Sequence, residues 1–109
     1  MRRLAPAVVV LMLLTSCAAT GEAEEEGVKG TAITAAKAAY EKARLEGRDL
    51  SRGPCIADPL PVPNWVADIA HDPRQPVDDD PANQCSTYRS GESEHFVELD
   101  PEGNLIRAE

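Results

Sequence analysis

Apolar and polar positions follow different periods along this 109-residue chain, and each period predicts an element. Ala7 to Leu14 is an unbroken apolar run. Ala18 to Gly30 then turns polar, with Glu22, Glu24, Glu25 and Glu26 among glycines. That stretch has too little apolar surface to fold by burial, and its like charges repel, so it reads as a flexible acidic tether. From Thr31 to Glu46, Ile33, Ala36, Tyr40 and Ala43 recur at helical spacing in alanine-rich sequence. Thr31 is placed to cap this helix, and Gly47 stands where a helix commonly stops. The stripe is thin, with Ile33 and Tyr40 its only large members, so it needs a partner surface.

Downstream, Pro54, Pro59, Pro61 and Pro63 remove backbone donors and make Arg48 to Asn64 an extended, irregular connection. A partner that recognises proline-rich segments would dock on Asp58 to Pro63; a spacer held to its own domain is the favoured reading. Trp65 to His71 alternates, with Trp65, Ala67 and Ile69 against Val66, Asp68 and Ala70, which predicts a strand whose first face meets the helix. Asp72 to Asn83 is a loop with three prolines. Gln84–Arg89, His95–Leu99 and Leu105–Ala108 read as further strands, the last two joined by the turn sequence Asp100-Pro101-Glu102-Gly103-Asn104. The sum is an α+β fold: one N-terminal helix packed on a small antiparallel sheet of three to four strands, in two layers. Its outline resembles cystatin-like and PepSY-like modules, a likeness of layout that no motif carries.

The first residues are an address. Arg2 and Arg3 precede the apolar run, which is far shorter than the ~20 residues of a spanning helix, and small residues follow it, as in a secretory signal. Leu14, Thr15, Ser16 and Cys17 occupy the four positions of a bacterial lipobox, and the leader resembles that of bacterial lipoproteins. The resemblance covers residues 1–17 alone. It implies a signal peptide over 1–16, cleavage before Cys17, and acyl chains on Cys17 that hold the mature protein to a lipid bilayer at the cell envelope, on its periplasmic or extracellular face. The anchor would consist of two or more chains, since each buried methylene contributes roughly 0.8 kcal/mol and one chain alone holds only reversibly. Ala18, which follows the cysteine, is not the aspartate associated with inner-membrane retention in two-membrane hosts.

With Cys17 lipidated, Cys55 and Cys85 remain, and an even pair in an exported domain reads as a disulfide. The mature chain then divides into the tether, 17–30, and one small domain, 31–109. One Trp, one Phe and two Tyr allow only a small core, for which a covalent staple is the usual support. The formal net charge is −8, and it becomes more negative when Arg2 and Arg3 leave with the signal. That balance argues against nucleic acid, whose phosphates call for Lys and Arg.

Candidate chemistry concentrates between the two cysteines. Asp72, Asp78, Asp79 and Asp80 offer oxygen ligands for calcium, although they lack the alternating spacing of a calcium loop. Cys55, Cys85, His71 and His95 lack the close ligand pairs of a zinc site. His71 or His95 could serve as a base with Asp68 or Asp72 as its orienting partner, yet no recognisable nucleophile accompanies them. Arg74 is placed to pair with Asp72 or Asp78. No catalytic residue and no cofactor is assigned. The expected function is a non-enzymatic interaction or binding domain displayed at the membrane, with an envelope protein as a possible partner and Trp65, His71 and Arg74 as its partner surface. The alternatives are a calcium or small-ligand binder using Asp72–Asp80, and a plain secreted protein stapled by its disulfide.

Overall fold

Small side chains let the long helix lie close against the sheet. In the computed structural model, which describes residues 20–109, α1 spans Thr20–Leu45 and buries Ala32, Ala36, Tyr40 and Ala43. The expected signal peptide, 1–16, and Cys17 lie outside the described residues. Residues 20–30, expected to be extended tether, are helical. Glutamate is a good helix former. Glu24, Glu25 and Glu26 remain exposed there. Thr31 is therefore interior and caps nothing: its Oγ1 donates to the Gly27 carbonyl at 2.9 Å, the local bond of a mid-helix threonine. The helix ends where expected. Gly47 N–H donates to the Arg44 carbonyl and Arg48 N–H to the Ala43 carbonyl, which closes a Schellman turn.

The sheet has four strands in the order β1 (Cys55–Ala57), β2 (Trp65–Ile69), β3 (His95–Leu99) and β4 (Leu105–Ala108). Trp65, Ala67 and Ile69 face α1 together with Val97, Leu99 and Ala108, and Leu50 and Leu60 close the ends of this core. This is the α+β arrangement of one helix on a small sheet, with Cys55 and Cys85 joined in a disulfide.

The sheet is mixed where an antiparallel one was expected. β2 and β3 run parallel, with Trp65 opposite His95 and Asp68 opposite Glu98; β1–β2 and β3–β4 are antiparallel. Two local differences produce this. Cys55–Ala57, read as irregular, is an edge strand on β2. Gln84–Arg89, read as a strand, instead contains the short helix α2 (Ser86–Ser90). The Asp58 carboxylate accepts from Thr87 N–H and Ser86 Oγ at 3.1 Å each, and from Thr87 Oγ1, satisfying helix-start donors from 28 or 29 residues away. Residues 70–94 thus form the crossover that two parallel neighbours require. The disulfide ties α2 to the edge strand on the sheet face opposite α1.

A contact between the helix and the β3–β4 turn closes the other side. Tyr40 donates its hydroxyl proton to the Pro101 carbonyl at 3.0 Å, and its ring lies over Gly103, where φ is +88°. A Cβ on Gly103 would sit 2.6 Å from the Tyr40 ring. Gly103→Ala is expected to cost roughly 1–3 kcal/mol, seen as a lower denaturant midpoint with unchanged slope. Reducing the disulfide, which spans 30 residues, is expected to cost roughly 3–4 kcal/mol, measured as the difference in unfolding free energy with and without reductant.

Candidate functional site

Strand alternation sends a second set of side chains to the face away from α1. On β2 these are Val66 and Asp68; on β3, Phe96 and Glu98; on β4, Arg107. Parallel pairing sets Asp68 beside Glu98, and antiparallel pairing sets Glu98 beside Arg107. A row of acid, acid and base therefore crosses three strands. The crossover roofs this row with Arg74, Gln84, Tyr88 and Arg89, leaving a cleft of about 350 Å³.

Glu98 is 5 % exposed and fully engaged. Arg107 Nε donates to its Oε2 at 2.8 Å, and Arg74 Nη1 donates to its Oε1 at 3.1 Å. Arg74 also donates to Asp79 Oδ1 at 2.8 Å and to the Asp78 carbonyl at 3.2 Å, so it fastens the crossover to the sheet. The Arg107 guanidinium lies 5.1 Å from the Phe96 ring centroid, and Tyr88 meets the same ring edge-on at 5.1 Å.

Asp68 is the exception in this network. Its Oδ1 is shut off from solvent and has no hydrogen-bond partner among the described residues. Burial, reinforced by the Glu98 charge, pushes its carboxyl up to about 7; Arg74 and Arg107 offset this only in part, since Glu98 holds both. A buried polar atom without a partner calls for a physical account: stored strain, an ordered water, an ion or a bound group.

The residues singled out by sequence do not converge on one surface. Trp65 is buried on the α1 side, stacked on His95 with ring centroids 4.7 Å apart. His71 neither faces Asp68 nor relies on Asp72: its Nδ1 lies 2.9 Å from Asp78 Oδ1 and its backbone N–H donates to Asp78 Oδ2 at 3.0 Å. Arg74 alone of the three lines the cleft, and its partners are Glu98, Asp79 and the Asp78 carbonyl rather than the Asp72 or Asp78 side chain. The acidic loop is likewise divided. Asp78 is buried and takes a further proton donor, Gln75 N–H, at 2.9 Å; burial pushes its carboxyl up, but the backbone donors and His71 outweigh that and hold it low. Asp79 is held by Arg74, and Asp80 accepts from Ala82 N–H at 3.0 Å, capping the short turn Pro81–Asn83. Asp72 is exposed. Asp78, Asp79 and Asp80 serve separate donors, and among the described residues the four carboxylates do not gather around one point. Among the described residues, Cys55, Asp58 and Cys85 lie close enough together to share an ion, but the two sulfurs are bonded to each other and Asp58 caps α2.

In the sequence Asp68 stands out only as an orienting partner for a histidine base, and Glu98 not at all, although a signal is present: each is an acid on an otherwise apolar strand, at a position whose neighbours face the core. Their proximity was not legible, because it follows from the parallel pairing.

The unusual proton affinity of Asp68 has a stability consequence. In the folded state it keeps its proton to about pH 7, whereas the unfolded chain releases it near the ordinary carboxylate value of roughly 4. Between those values the folded state binds more protons, so the Asp68 contribution falls as pH rises through that window. Asp58, Asp78 and Asp100 act oppositely, being held low; their contributions weaken as pH falls, and they cancel when variant and parent are compared. Asp68→Asn is expected to match the parent at about pH 4 and to exceed it by roughly 1–4 kcal/mol at about pH 8, measured by chemical denaturation at both. A stability difference that does not change with pH would contradict the assignment. Comparisons of the chain with known protein families, curated proteins and solved structures found no match.

Proposed function

We propose that this protein is an exported lipoprotein, held to the cell envelope by acyl chains on Cys17, that displays a small non-enzymatic binding domain whose binding face is the cleft under α2. The observation that carries the reading is the Cys55–Cys85 disulfide, which forms one wall of that cleft. Disulfides persist in oxidising, extracytoplasmic compartments. Here the bond fixes the roof of a site rather than a remote loop, so the site depends on export. Leu14-Thr15-Ser16-Cys17 supplies the address, and no helix among the described residues is long and apolar enough to cross a membrane. Lipid on Cys17 is the means of attachment that the sequence offers.

The helical run from Thr20 changes how such a domain would be presented. The stretch from Thr20 to the first buried residue, Ala32, rises roughly 1.5 Å per residue as helix, so a stiff acidic lever would replace a loose tether. Its exposed glutamates would keep it away from anionic headgroups.

Mass spectrometry of the membrane fraction tests the anchor. The expected N-terminal peptide begins at Cys17 and carries the mass of a diacylglyceryl group, and Cys17→Ser is expected to abolish both the lipid and the cleavage. Recovery of a peptide beginning elsewhere, or of Cys17 with a free thiol, would overturn the reading in favour of a plain secreted protein.

A further inference from the structure

The cleft under α2 contains one acid and one base that the protein itself leaves unpaired. Asp68 aims a carboxyl into it with Oδ1 unpartnered. Arg89, on the last turn of α2, lines the same cleft and makes no ion pair or side-chain hydrogen bond among the described residues. The two other guanidiniums present, Arg74 and Arg107, are both committed to Glu98. Val66 and the Tyr88 and Phe96 rings, which meet edge-on, give the same cleft an apolar lining. The volume, about 350 Å³, falls at the small end of the roughly 300–1,000 Å³ typical of small-molecule sites.

We infer that this cleft binds a small zwitterion with an apolar body, such as a hydrophobic amino acid: its ammonium on Asp68, its carboxylate on Arg89, and its side chain against Tyr88 and Phe96. The inference rests on the reading of the domain as a binding module and names the ligand class for that same site. Charge complementarity selects this class. A simple organic anion would pair with Arg89 but would leave Asp68 unmet and bring a third negative charge beside Asp68 and Glu98. A simple amine would satisfy Asp68 and leave Arg89 unused. An ammonium donates to the buried carboxylate and supplies the counter-charge that Arg74 and Arg107 give to Glu98 instead. A guanidinium accommodates a carboxylate in bidentate fashion, and aromatic faces suit an apolar side chain.

Binding an ammonium requires Asp68 ionised, so affinity should depend on pH. The groups that act on Asp68 are Glu98 from β3, Arg107 from β4, and Arg74 and Asp78 from the crossover, while Tyr88 and Arg89 line the same cleft. Of these, Arg74 is held charged by Asp79 and Glu98, Arg107 by Glu98, and Asp78 is held low.

The test uses three probes that share one phenyl ring: L-phenylalanine, phenethylamine and 3-phenylpropionate. Calorimetry on the full-length acylated chain in detergent reads their affinities. L-phenylalanine is expected to bind at least about tenfold more tightly than either singly charged probe. Asp68→Asn is expected to abolish the advantage of L-phenylalanine over 3-phenylpropionate, and Arg89→Gln its advantage over phenethylamine. In the parent, affinity for L-phenylalanine should rise from about pH 5.5 to about pH 8, and this rise should vanish in Asp68→Asn, a change that loss of packing alone would not give. Equal affinities for the three probes, no binding by any of them, or full retention of zwitterion preference in both variants would overturn the inference. Intact mass of the same preparation reports the lipid on Cys17 separately, so failure of the ligand assignment and failure of the anchored-lipoprotein reading are told apart.

Discussion

Parallel strands cannot be joined by a tight turn, and the neighbouring placement of β2 and β3 therefore imposes a crossover on residues 70–94. In larger α/β folds such a crossover is a long amphipathic helix that pays its own way by burying an apolar face. Here it holds only a five-residue helix, three prolines and a cluster of aspartates. Fixed polar fastenings and one covalent bond replace the missing apolar contact. The disulfide and the Asp58 cap hold its second half, while Asp78, gathering His71 and Gln75, and Arg74, bonded to Glu98, hold its first.

That way of holding the crossover explains why a cleft exists at all. A roof secured at a few polar points and by one disulfide need not collapse onto the sheet, as a roof held by continuous apolar packing would. The space beneath it is lined by whatever strand alternation turns away from α1. The stabilising network consumes Arg74, Arg107 and Glu98, and leaves Asp68 and Arg89 over. The asymmetry of the charge network is thus a by-product of how the crossover is anchored. The two halves of the molecule divide the work. The α1 face carries stability through alanines packed on Ile69, Val97 and Leu99, while the opposite face carries the unpaired polar groups.

The sequence was most legible where structure is set by near neighbours. The Ile33–Ala43 stripe, the stop at Gly47 and the Trp65-Ala67-Ile69 face were read correctly because helical and strand periods are local and leave a repeating mark. His95–Leu99 and Leu105–Ala108 were legible for the same reason, helped by strong turn chemistry between them. The helix before Thr31 was not legible because sparse apolar surface and like charge both point to an extended chain, against the helix-forming tendency of glutamate. Gln84–Arg89 was misread because its helix-start donors are satisfied by Asp58, which no window around residue 86 contains.

By itself the chain determined which side chains share a face and the resemblance of residues 1–17 to a lipoprotein signal, since each follows from the order of neighbouring residues. Only the tertiary structure decided which strands lie side by side and in which direction. Pairing is settled between segments some thirty residues apart, by a disulfide and a distant cap, and it alone brings Asp68 beside Glu98 and leaves that carboxyl without a partner.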